Sequence, residues 1–529
     1  MGKMLGVMID CSRNGVMTVD AVKRYADIIK KMGYNTLMLY TEDTYEIDNN
    51  PFFGHLRGRY SKTEMKELDK YCAEIGIELV PCIQTLAHLN CIFKWYDQYS
   101  EINDCDDILL CENEKTYALI EEMFKSLAEC YTTRKIHIGM DEAYNVGLGK
   151  YRQLNGVKDR FDIINNHLHK VCEIGDKYGF EPMIWSDMFC KLAMGIENQY
   201  ADVDTSAIKE KAQLPENISL VYWDYYSTDY DHYTRMIRTN KLFDRKVYFA
   251  GGAWTWTGFA PRNQFSIDTT TPAVKACTDE GIDGMLITVW GDDGAECSPF
   301  AVLPSLMYAA EAVKGNTDME SIKAKFKEIT GSDFDSFMLM DKLALPGGKH
   351  KSLADRYLLY NDMFMGLRDY MCSPEDADFY KDLAEEIKNA DGKGEYKYIF
   401  DVYQALAEVL SIKSTLGIRT REAYLNRDMD KLKEIVADCN EMILRIKNFH
   451  KIHQARWFKD YKPHGFDIQD IRIGGLLQRT ESCMERLEML ACGEITEIPE
   501  LDEPALAEEG YVHNIWSRIV TPNVLSHIF

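Results

Sequence analysis

The first 315 residues alternate between short apolar, β-branched runs and longer stretches with the period of an amphipathic helix. Residues 19–31, 62–75, 115–131 and 160–178 are stretches of the helical kind. Uninterrupted apolar strands separated by helices are typical of a parallel sheet that is buried on both faces. The runs that we interpret as strands are Leu5–Asp10, Asn35–Glu42, Glu78–Ile83, Lys135–Met140, Glu181–Asp187, Ile218–Tyr225, Lys246–Gly252 and Gly284–Trp290.

Eight such runs predict a closed (β/α)8 TIM barrel, an α/β fold that occupies roughly 250 residues. An open, doubly wound sheet is the alternative, but no Gly-rich phosphate turn follows the first run. Beyond residue 315 the strand-like runs stop, and helical patterns such as residues 396–411 and 429–449 take over. We therefore predict a catalytic α/β barrel over residues 1–315 and an all-α C-terminal domain over residues 316–529, ending in an irregular tail from about residue 494.

The charge and the cysteine content of the chain indicate which binding partners and which cellular location to expect. The chain has 61 Lys and Arg against 85 Asp and Glu, a net charge of −24 that repels phosphate backbones, so we expect no nucleic acid partner. No apolar run reaches the ~18 residues that a membrane span needs, so we expect no membrane partner. The apolar stretch at residues 4–9 is shorter than a secretory leader, and the 15 cysteines are scattered without CxxC pairs. Reduced thiols of this kind favour a cytoplasmic protein.

The reactive groups of such a barrel lie where its strands end. Five of the eight Trp residues fall at these positions, interleaved with carboxylates. Indole faces pack on the C–H faces of a sugar ring, while carboxylates and Arg bond to its hydroxyls, so the pattern predicts a sugar site. Trp residues that only close the barrel mouth are the alternative. The residues at the strand ends are Asp10, Arg13, Glu42, Asp43, Gln84, His88, His137, Asp141, Glu142, Trp185, Asp187, Tyr222, Trp223, Asp224, Trp254, Trp256, Trp290 and Asp292.

The sharpest local feature is an apolar strand, Lys135–Met140, that runs directly into the adjacent carboxylates Asp141 and Glu142. Like charges at the mouth of a barrel push one pKa upward, which is how a general acid stays protonated near neutral pH. An Asp-Glu pair that only caps a helix N-terminus is the alternative interpretation.

These residues resemble a known family. The segment His137-Ile-Gly-Met-Asp-Glu-Ala143 is similar to the H-x-G-x-D-E signature of family 20 glycoside hydrolases, the β-N-acetylhexosaminidases. The resemblance covers about residues 4–315, and other strand ends match the pocket of that family. The matching positions are Arg13 after the first strand, His88 after the third, Trp185 after the fifth, Tyr222 and Asp224 as Tyr-x-Asp after the sixth, Trp254 or Trp256 after the seventh, and Trp290 with Asp292 after the eighth.

The resemblance implies hydrolysis of terminal β-linked N-acetylhexosamine with retention, by an exo-acting enzyme that needs no cofactor or metal. The acetamido oxygen of the substrate would attack the anomeric carbon to form an oxazolinium ion. Glu142 would be the general acid and base, and Asp141 and Tyr222 would hold the two polar atoms of the acetamido group. Arg13, His88, Asp224 and Asp292 would bind the sugar, and Trp185, Trp254, Trp256 and Trp290 would form its walls.

The sequence also departs from the family pattern and leaves two alternatives. Gln84 and Ala87 replace an acid and a Gly of the third-strand motif, and Asp292 replaces Glu, which bears on sugar preference. A metal-dependent barrel hydrolase would use His88, His137, Asp141 and Asp187 as ligands. A non-catalytic sugar-binding protein would keep the Trp walls without needing Glu142 beside Asp141. In the helical domain, the polar loop at residues 462–475 is expected to pack on the barrel, with substrate binding or a homodimer contact as alternatives.

Overall fold

A computed structural model of the chain describes residues 3–202, 204, 205, 208, 211, 213–292, 294–346 and 353–505. The described residues form two compact units. The first contains residues up to 254 together with 264–291 and 305–322, and the second contains 255–263, 292–304 and the residues from 323 onward. The second unit thus includes two segments that lie inside the predicted barrel range. The predicted irregular tail lies mostly outside the described residues.

The first unit is a closed parallel barrel, which confirms the predicted fold class. Its strands follow the order β1-β10-β9-β8-β7-β6-β3-β2, while β4 and β5 form a small antiparallel hairpin that the sequence analysis did not predict. The strands are β1 (Met4–Asp10), β2 (Thr36–Tyr40), β3 (Glu78–Cys82), β4 (Asn103–Cys105), β5 (Ile108–Leu109), β6 (Lys135–His137), β7 (Glu181–Trp185), β8 (Ser219–Trp223), β9 (Lys246–Gly252) and β10 (Gly284–Val289).

Strand periodicity sorts the side chains of the barrel between two layers. Successive side chains of a strand point to opposite faces, so alternate residues fill the barrel interior and the others pack against the helices. On β7 and β8 the interior residues include Met183, Trp185 and Val221, with Trp223 packed against them. All seven residues of β1 are buried, as expected for a strand covered on both faces.

Helices surround the barrel strands, and their ends carry the expected capping residues. Thr18 caps the first helix and accepts a hydrogen bond from the Ala21 amide, and Ser61 with Glu64 forms a capping box at the second. The helices up to residue 313 are α1 (Val19–Met32), α2 (Lys62–Ile75), α3 (Asn90–Phe93), α4 (Tyr96–Tyr99), α5 (Glu114–Cys130), α6 (Lys150–Asn155), α7 (Arg160–Asp176), α8 (Asp187–Met194), α9 (Tyr230–Lys241), α10 (Asn263–Asp279) and α11 (Leu303–Val313).

The second unit is helical, as predicted. Its three longest helices, Lys397–Leu425, Met429–Asp460 and Phe466–Ala491, each pack against the next one along the chain. A buried ion cluster joins segments of this unit. The Glu296 carboxylate forms ion pairs with the guanidinium groups of Arg356, at 2.7 Å, and Arg472, at 2.8 Å. The remaining helices are α12 (Met319–Thr330), α13 (Phe334–Met338), α14 (Ala354–Tyr360), α15 (Asp376–Asn389), α16 (Lys397–Leu425), α17 (Met429–Asp460), α18 (Phe466–Ala491) and α19 (Pro499–Asp502).

Two observations on the whole chain complete the description. Within the ranges that the structure describes, no helix is both long enough and apolar enough to cross a membrane. All fifteen cysteines lie in those ranges, and each is a free thiol.

Candidate active site

The adjacent carboxylates follow β6 on a strained turn. Gly139, Met140 and Glu142 have φ angles of +74°, +72° and +50°, in the left-handed region that non-glycine residues rarely adopt. Gly139 is required here, because a Cβ would lie 2.0 Å from Oε1 of Gln84. A non-glycine residue in this region costs about 1–3 kcal/mol and persists only when its surroundings hold it there.

Gln84 at the end of β3 holds this turn. Its buried Oε1 accepts a hydrogen bond from the Met140 amide at 3.0 Å. Its Nε2 donates to Oδ1 of Asp141 at 2.6 Å and to the Tyr40 hydroxyl at 2.9 Å. One neutral side chain therefore fixes both the backbone of the turn and the orientation of the Asp141 carboxylate.

Asp141 and Glu142 are neighbours in sequence but differ in environment. Asp141 is buried, whereas the Glu142 side chain is 40% exposed. Nε2 of His88 lies 3.2 Å from Oδ2 of Asp141 and 3.7 Å from Oε2 of Glu142. Burial alone would lower the pKa of His88, but the Asp141 carboxylate raises it to about 9. Burial would raise the pKa of Asp141, but His88 and the Gln84 amide bring it below its usual value. At neutral pH the pair is therefore an imidazolium and a carboxylate.

A third carboxyl group, that of the buried residue Asp187, contacts the backbone of Glu142. Its Oδ2 accepts a hydrogen bond from the Glu142 amide at 3.1 Å. Burial and then the charge of Asp141 raise the pKa of Asp187 to about 7, although the Glu142 amide opposes the shift. Asp187 is thus a buried group that titrates near neutral pH beside the exposed carboxylate.

Arg13, after β1, is held at the same mouth. Its Nε donates to Oε1 of buried Glu42 at 3.1 Å, and its Nη2 lies 3.4 Å from Nδ1 of His88. The Tyr40 hydroxyl also donates to Oε1 of Glu42, at 3.2 Å. The His88 amide donates to Asp107 of the β4–β5 turn at 2.9 Å, which fixes the backbone of the His88 loop. The structure therefore brings Arg13 and His88 together.

Aromatic rings line the interior end of the barrel. Trp185 is buried, with its ring centroid 4.3 Å from that of His137 and 6.1 Å from that of Trp290. Tyr40 meets Trp290 edge-on at 4.8 Å. Nε1 of Trp290 donates to the Tyr225 hydroxyl at 3.1 Å, and Nε1 of Trp254 donates to the Tyr225 carbonyl at 3.1 Å. Trp185, Trp254 and Trp290 thus belong to one aromatic assembly organised around Tyr225.

Tyr222 and Asp224 do not reach this mouth, contrary to expectation. Their alternation with the interior residues Val221 and Trp223 turns them toward the helices. The Tyr222 hydroxyl is buried and donates to Oδ2 of Asp224 at 2.7 Å, and Nε2 of His232 on α9 contacts the same oxygen at 2.7 Å. Asp224 also lines a small cavity with residues of α10. The pair therefore ties β8 to the helical layer.

The remaining predicted residues have different outcomes. Trp256 and Asp292 belong to the second unit, so their place in the site stays a prediction. His137 is fully buried, and its Nδ1 accepts a hydrogen bond from the Gly139 amide at 3.2 Å. Burial lowers the pKa of His137 to about 3, so its ring is neutral. His137 is a component of the barrel core that orients the turn after β6.

The four residues that were considered as metal ligands do not form one cluster in the structure. Within the described part of the chain, the group that brings ligand atoms within 4.8 Å of one another is His88, Asp141 and Glu142, without His137 or Asp187. The raised pKa of His88 means that a metal would have to displace a proton from it. The same three residues can act as a charge-paired carboxylate and a separate acid.

The sequence analysis missed three residues of the site. Tyr225 meets Trp290, and its pKa is raised mainly by burial and also by the charge of Asp141. The Tyr144 hydroxyl donates to Oε1 of Glu142 at 3.1 Å, and Lys191 on α8 donates to that hydroxyl at 3.1 Å. Tyr144 stands two residues after Glu142, so its position was a usable signal, whereas Lys191 could be found only from the fold.

Two family models match the chain. The model described as the glycosyl hydrolase family 20 catalytic domain matches residues 4–279, and that of the glycoside hydrolase 20C C-terminal domain matches residues 335–517. Among curated proteins, the chain is similar to hexosaminidase D of Bos taurus, with 21% identity over 58% of this chain and 90% of the bovine protein. Hexosaminidase D of Homo sapiens is 22% identical over 58% of this chain, which spans 64% of the human protein.

Solved structures of similar proteins include two bacterial enzymes. One is the exo-β-N-acetylglucosaminidase from Vibrio harveyi, with 14% identity, a TM-score of 0.48 and coverage of 64% of this chain and 58% of that one. The other is the N-acetyl-β-hexosaminidase from Streptomyces plicatus, with 19% identity, a TM-score of 0.46 and coverage of 62% and 69%.

Proposed function

Because the chain belongs to glycoside hydrolase family 20, whose catalytic model matches residues 4–279, we propose that it is an exo-acting β-N-acetylhexosaminidase. It would release terminal β-linked GlcNAc or GalNAc from a glycan or oligosaccharide with retention of configuration. The nucleophile would be the acetamido oxygen of the substrate, and the intermediate an oxazolinium ion.

The observation that carries this proposal is the shared contact of two adjacent carboxylates with one imidazole nitrogen. Nε2 of His88 lies 3.2 Å from Asp141 and 3.7 Å from Glu142, so both carboxyl groups approach the substrate from one side. A conventional retaining glycosidase holds its acid and its nucleophile about 5–5.5 Å apart, flanking the scissile bond. Neighbouring residues on one turn do not straddle a sugar in this way. The substrate therefore has to bring its own nucleophile.

The two carboxylates suit different tasks. Asp141 is buried and charged, so it would accept the acetamido N–H and stabilise the positive charge that develops on the ring of the oxazolinium ion. Glu142 is 40% exposed, as a group must be that protonates a departing glycan and then activates a water molecule. A protonated His88, paired with Asp141, would hold that carboxylate in place.

The acetamido group also needs a donor for its attacking oxygen and an apolar slot for its methyl group. We assign the donor to Tyr225 instead of Tyr222, because the Tyr222 hydroxyl is committed to Asp224. Trp185, Trp254 and Trp290 would form the slot, since they share the aromatic assembly around Tyr225. Arg13 and His88 would bind ring hydroxyls, and Trp256 and Asp292 keep the binding roles that the family resemblance implies.

Kinetics on matched aryl glycosides test this proposal. We expect turnover of 4-nitrophenyl N-acetyl-β-glucosaminide and almost none of 4-nitrophenyl β-glucoside, which lacks the acetamido nucleophile. A stable thiazoline that resembles the cyclic intermediate should inhibit competitively and far more tightly than the substrate binds. Comparable rates on the two glycosides, or a covalent glycosyl–carboxylate adduct on the enzyme, would refute substrate assistance.

The cluster of His88, Asp141 and Glu142 favours metal-assisted hydrolysis as a second candidate function. Exhaustive treatment with EDTA, followed by addition of Zn²⁺, separates the two candidates. We expect unchanged activity after chelation. Loss of activity that Zn²⁺ restores would favour the metal-dependent function instead.

Location and assembly are also proposals. The fifteen free thiols suit a reducing compartment, and we propose a cytoplasmic enzyme. Mass mapping of the native protein should find these thiols unpaired, and several native disulfides would contradict the proposal. A homodimer, if it forms, should give twice the monomer mass in light scattering.

A further inference from the structure

Lys191 is a buried cation near the candidate acid. It lies on α8 and is 8% exposed. Its Nζ donates to the Tyr144 hydroxyl at 3.1 Å and lies 4.5 Å from the centre of the Tyr144 ring. Taking an ammonium group out of water is unfavourable unless nearby groups compensate for it. Tyr144 compensates in part, and so does the electrostatic interaction of Lys191 with Asp187.

The Tyr144 hydroxyl connects this cation to Glu142. It donates to Oε1 of Glu142 at 3.1 Å. A hydroxyl has one proton to donate and two lone pairs that accept. Because Lys191 has no acceptor atom, it must be the donor to Tyr144, and the phenolic proton is left for Glu142. Burial, together with the charges of Glu142 and Asp187, raises the pKa of Tyr144, so the phenol stays neutral and keeps this proton.

We propose that Tyr144 and Lys191 are positioning residues that orient the Glu142 carboxyl group and hydrogen-bond the carboxylate that remains when its proton passes to the leaving group. This inference rests on the proposed function. As the glycosidic C–O bond breaks, its electron pair stays on the leaving oxygen, and the proton of Glu142 moves to that oxygen. The carboxylate left behind accepts the Tyr144 O–H, and the positive charge of Lys191 lowers its energy. In the second step the same carboxylate takes a proton from the attacking water.

Other charged groups face Glu142 and set the background for this effect. His88 is a cation 3.7 Å from Oε2, Asp141 is an anion on the buried side, and Asp187 is a buried carboxyl group whose pKa is raised to about 7. Tyr144 and Lys191 act from the other oxygen, Oε1, and help most when the proton has left. Proton transfer to a weakly acidic leaving group should therefore depend on them.

The test uses Tyr144→Phe, Lys191→Met and the double variant, with aryl N-acetyl-β-glucosaminides of graded leaving-group pKa and a β-linked GlcNAc disaccharide. We expect kcat/KM to fall about 10-fold on the disaccharide for either single variant, which equals about 1.4 kcal/mol. On the nitrophenyl substrate the loss should stay below about 3-fold, because that leaving group needs little protonation. The double variant should lose little more than either single one, since both act through one hydroxyl.

The dependence on leaving-group pKa provides a second readout. Without the donor, the plot of log kcat/KM against leaving-group pKa should become steeper, because poor leaving groups depend most on proton transfer. Lys191→Arg should restore most of the activity of Lys191→Met because it restores the cation. Tyr178→Phe and Lys177→Met are the matched controls, since both residues follow α7 at the opposite end of the barrel. They should change neither quantity.

Equal losses on every leaving group, which would leave the dependence on leaving-group pKa unchanged in Tyr144→Phe, would overturn the inference. If Lys191→Met does not fold, Tyr144→Phe decides, because it removes a single oxygen atom that is partly exposed. Failure of the proposed function looks different: wild-type enzyme would not release N-acetylhexosamine, or Glu142→Gln would remain active. A wild-type enzyme that depends on Glu142 but not on Tyr144 refutes only the role of Tyr144 and Lys191.

Discussion

The alternation of side chains along β8 predicts that two nearby tyrosines give opposite phenotypes when each loses its hydroxyl. Tyr225 lies in the aromatic assembly with Trp290, and its hydroxyl is the donor that we assign to the acetamido oxygen. Tyr222 lies on the helical side, where its hydroxyl donates to Asp224 at 2.7 Å. Replacing each with Phe removes one oxygen atom and preserves the ring.

The expected magnitudes follow from the two environments. Loss of a donor aimed at developing charge lowers kcat by about 10²–10³-fold, so Tyr225→Phe should lose activity in this range. Tyr222→Phe removes a hydrogen bond to a buried carboxylate, worth about 1.5–3 kcal/mol in the free energy of unfolding. Its kcat/KM should stay within about 3-fold of wild type, a difference below 1 kcal/mol. His232 still contacts Asp224 at 2.7 Å, so that carboxylate keeps one partner.

Two measurements on each variant test which of the two tyrosines contacts the substrate. Initial rates with 4-nitrophenyl N-acetyl-β-glucosaminide report the chemistry, and urea unfolding followed by circular dichroism reports stability. We expect Tyr225→Phe to be slow, with a loss of stability that reflects its neutral hydrogen bond from Trp290, and Tyr222→Phe to be active and destabilised. The reverse pattern would refute the assignment of Tyr225 and restore Tyr222 as the residue that contacts the substrate.

Three further predictions follow from the geometry. Glu142→Gln should lower kcat/KM on poor leaving groups by about 10²–10⁴-fold and much less on activated aryl groups, whereas Asp141→Asn should lose activity on both. Gly139→Ala should lose stability and activity, because its Cβ would lie 2.0 Å from a buried amide oxygen; at Gly281, also with positive φ but with open space around it, Ala should bring only backbone strain in urea unfolding. The pKa of His88 rises on folding to about 9, so this group stabilises the fold fully below its unfolded pKa of about 6.5 and loses that contribution as pH rises through 9. Relative to His88→Gln, the unfolding free energy of wild type should therefore fall between pH 6.5 and 9, and parallel curves would contradict the pairing with Asp141.

The sequence predicted the barrel because its strands are buried on both faces and therefore form uninterrupted apolar runs. For the same reason, the sequence did not show which residues of each strand face the barrel interior. In a strand with one polar face, the alternation of polar and apolar residues gives the orientation. Ser219–Trp223 instead has apolar or aromatic side chains on both faces after its first residue. A motif match placed Tyr222 in the site, and a shift by one position reverses the side to which a residue points. The register of β8 against β9 pairs Trp223 with Ala250 of the barrel interior and Tyr222 with Phe249, so Tyr222 faces the helices.

The sequence predicted Asp141 and Glu142 as a pair at the barrel mouth, but it did not predict the residues that support them. Gln84 departs from the family motif in sequence, yet its amide makes three hydrogen bonds that fix the turn and Asp141. Lys191 lies 47 residues from Tyr144, and a helix that reads as an ordinary amphipathic segment brings it there. Contacts of this kind depend on packing between elements, which periodicity along one segment does not encode.

The two buried carboxyl groups beside Glu142, Asp141 and Asp187, also explain how the fold limits the charge at this position. Asp141 remains an anion because His88 and Gln84 compensate for its burial. Burial and the charge of Asp141 outweigh the Glu142 amide and the charge of Lys191, so the pKa of Asp187 rises to about 7 and it is largely protonated in mildly acidic solution. Asp141 and Asp187 would repel each other if both were charged in a medium of low dielectric constant, and protonation of Asp187 relieves this repulsion. Glu142 has the solvent access that Asp141 and Asp187 lack, so it can exchange a proton with substrate and water while His88 and Gln84 keep Asp141 charged beside it.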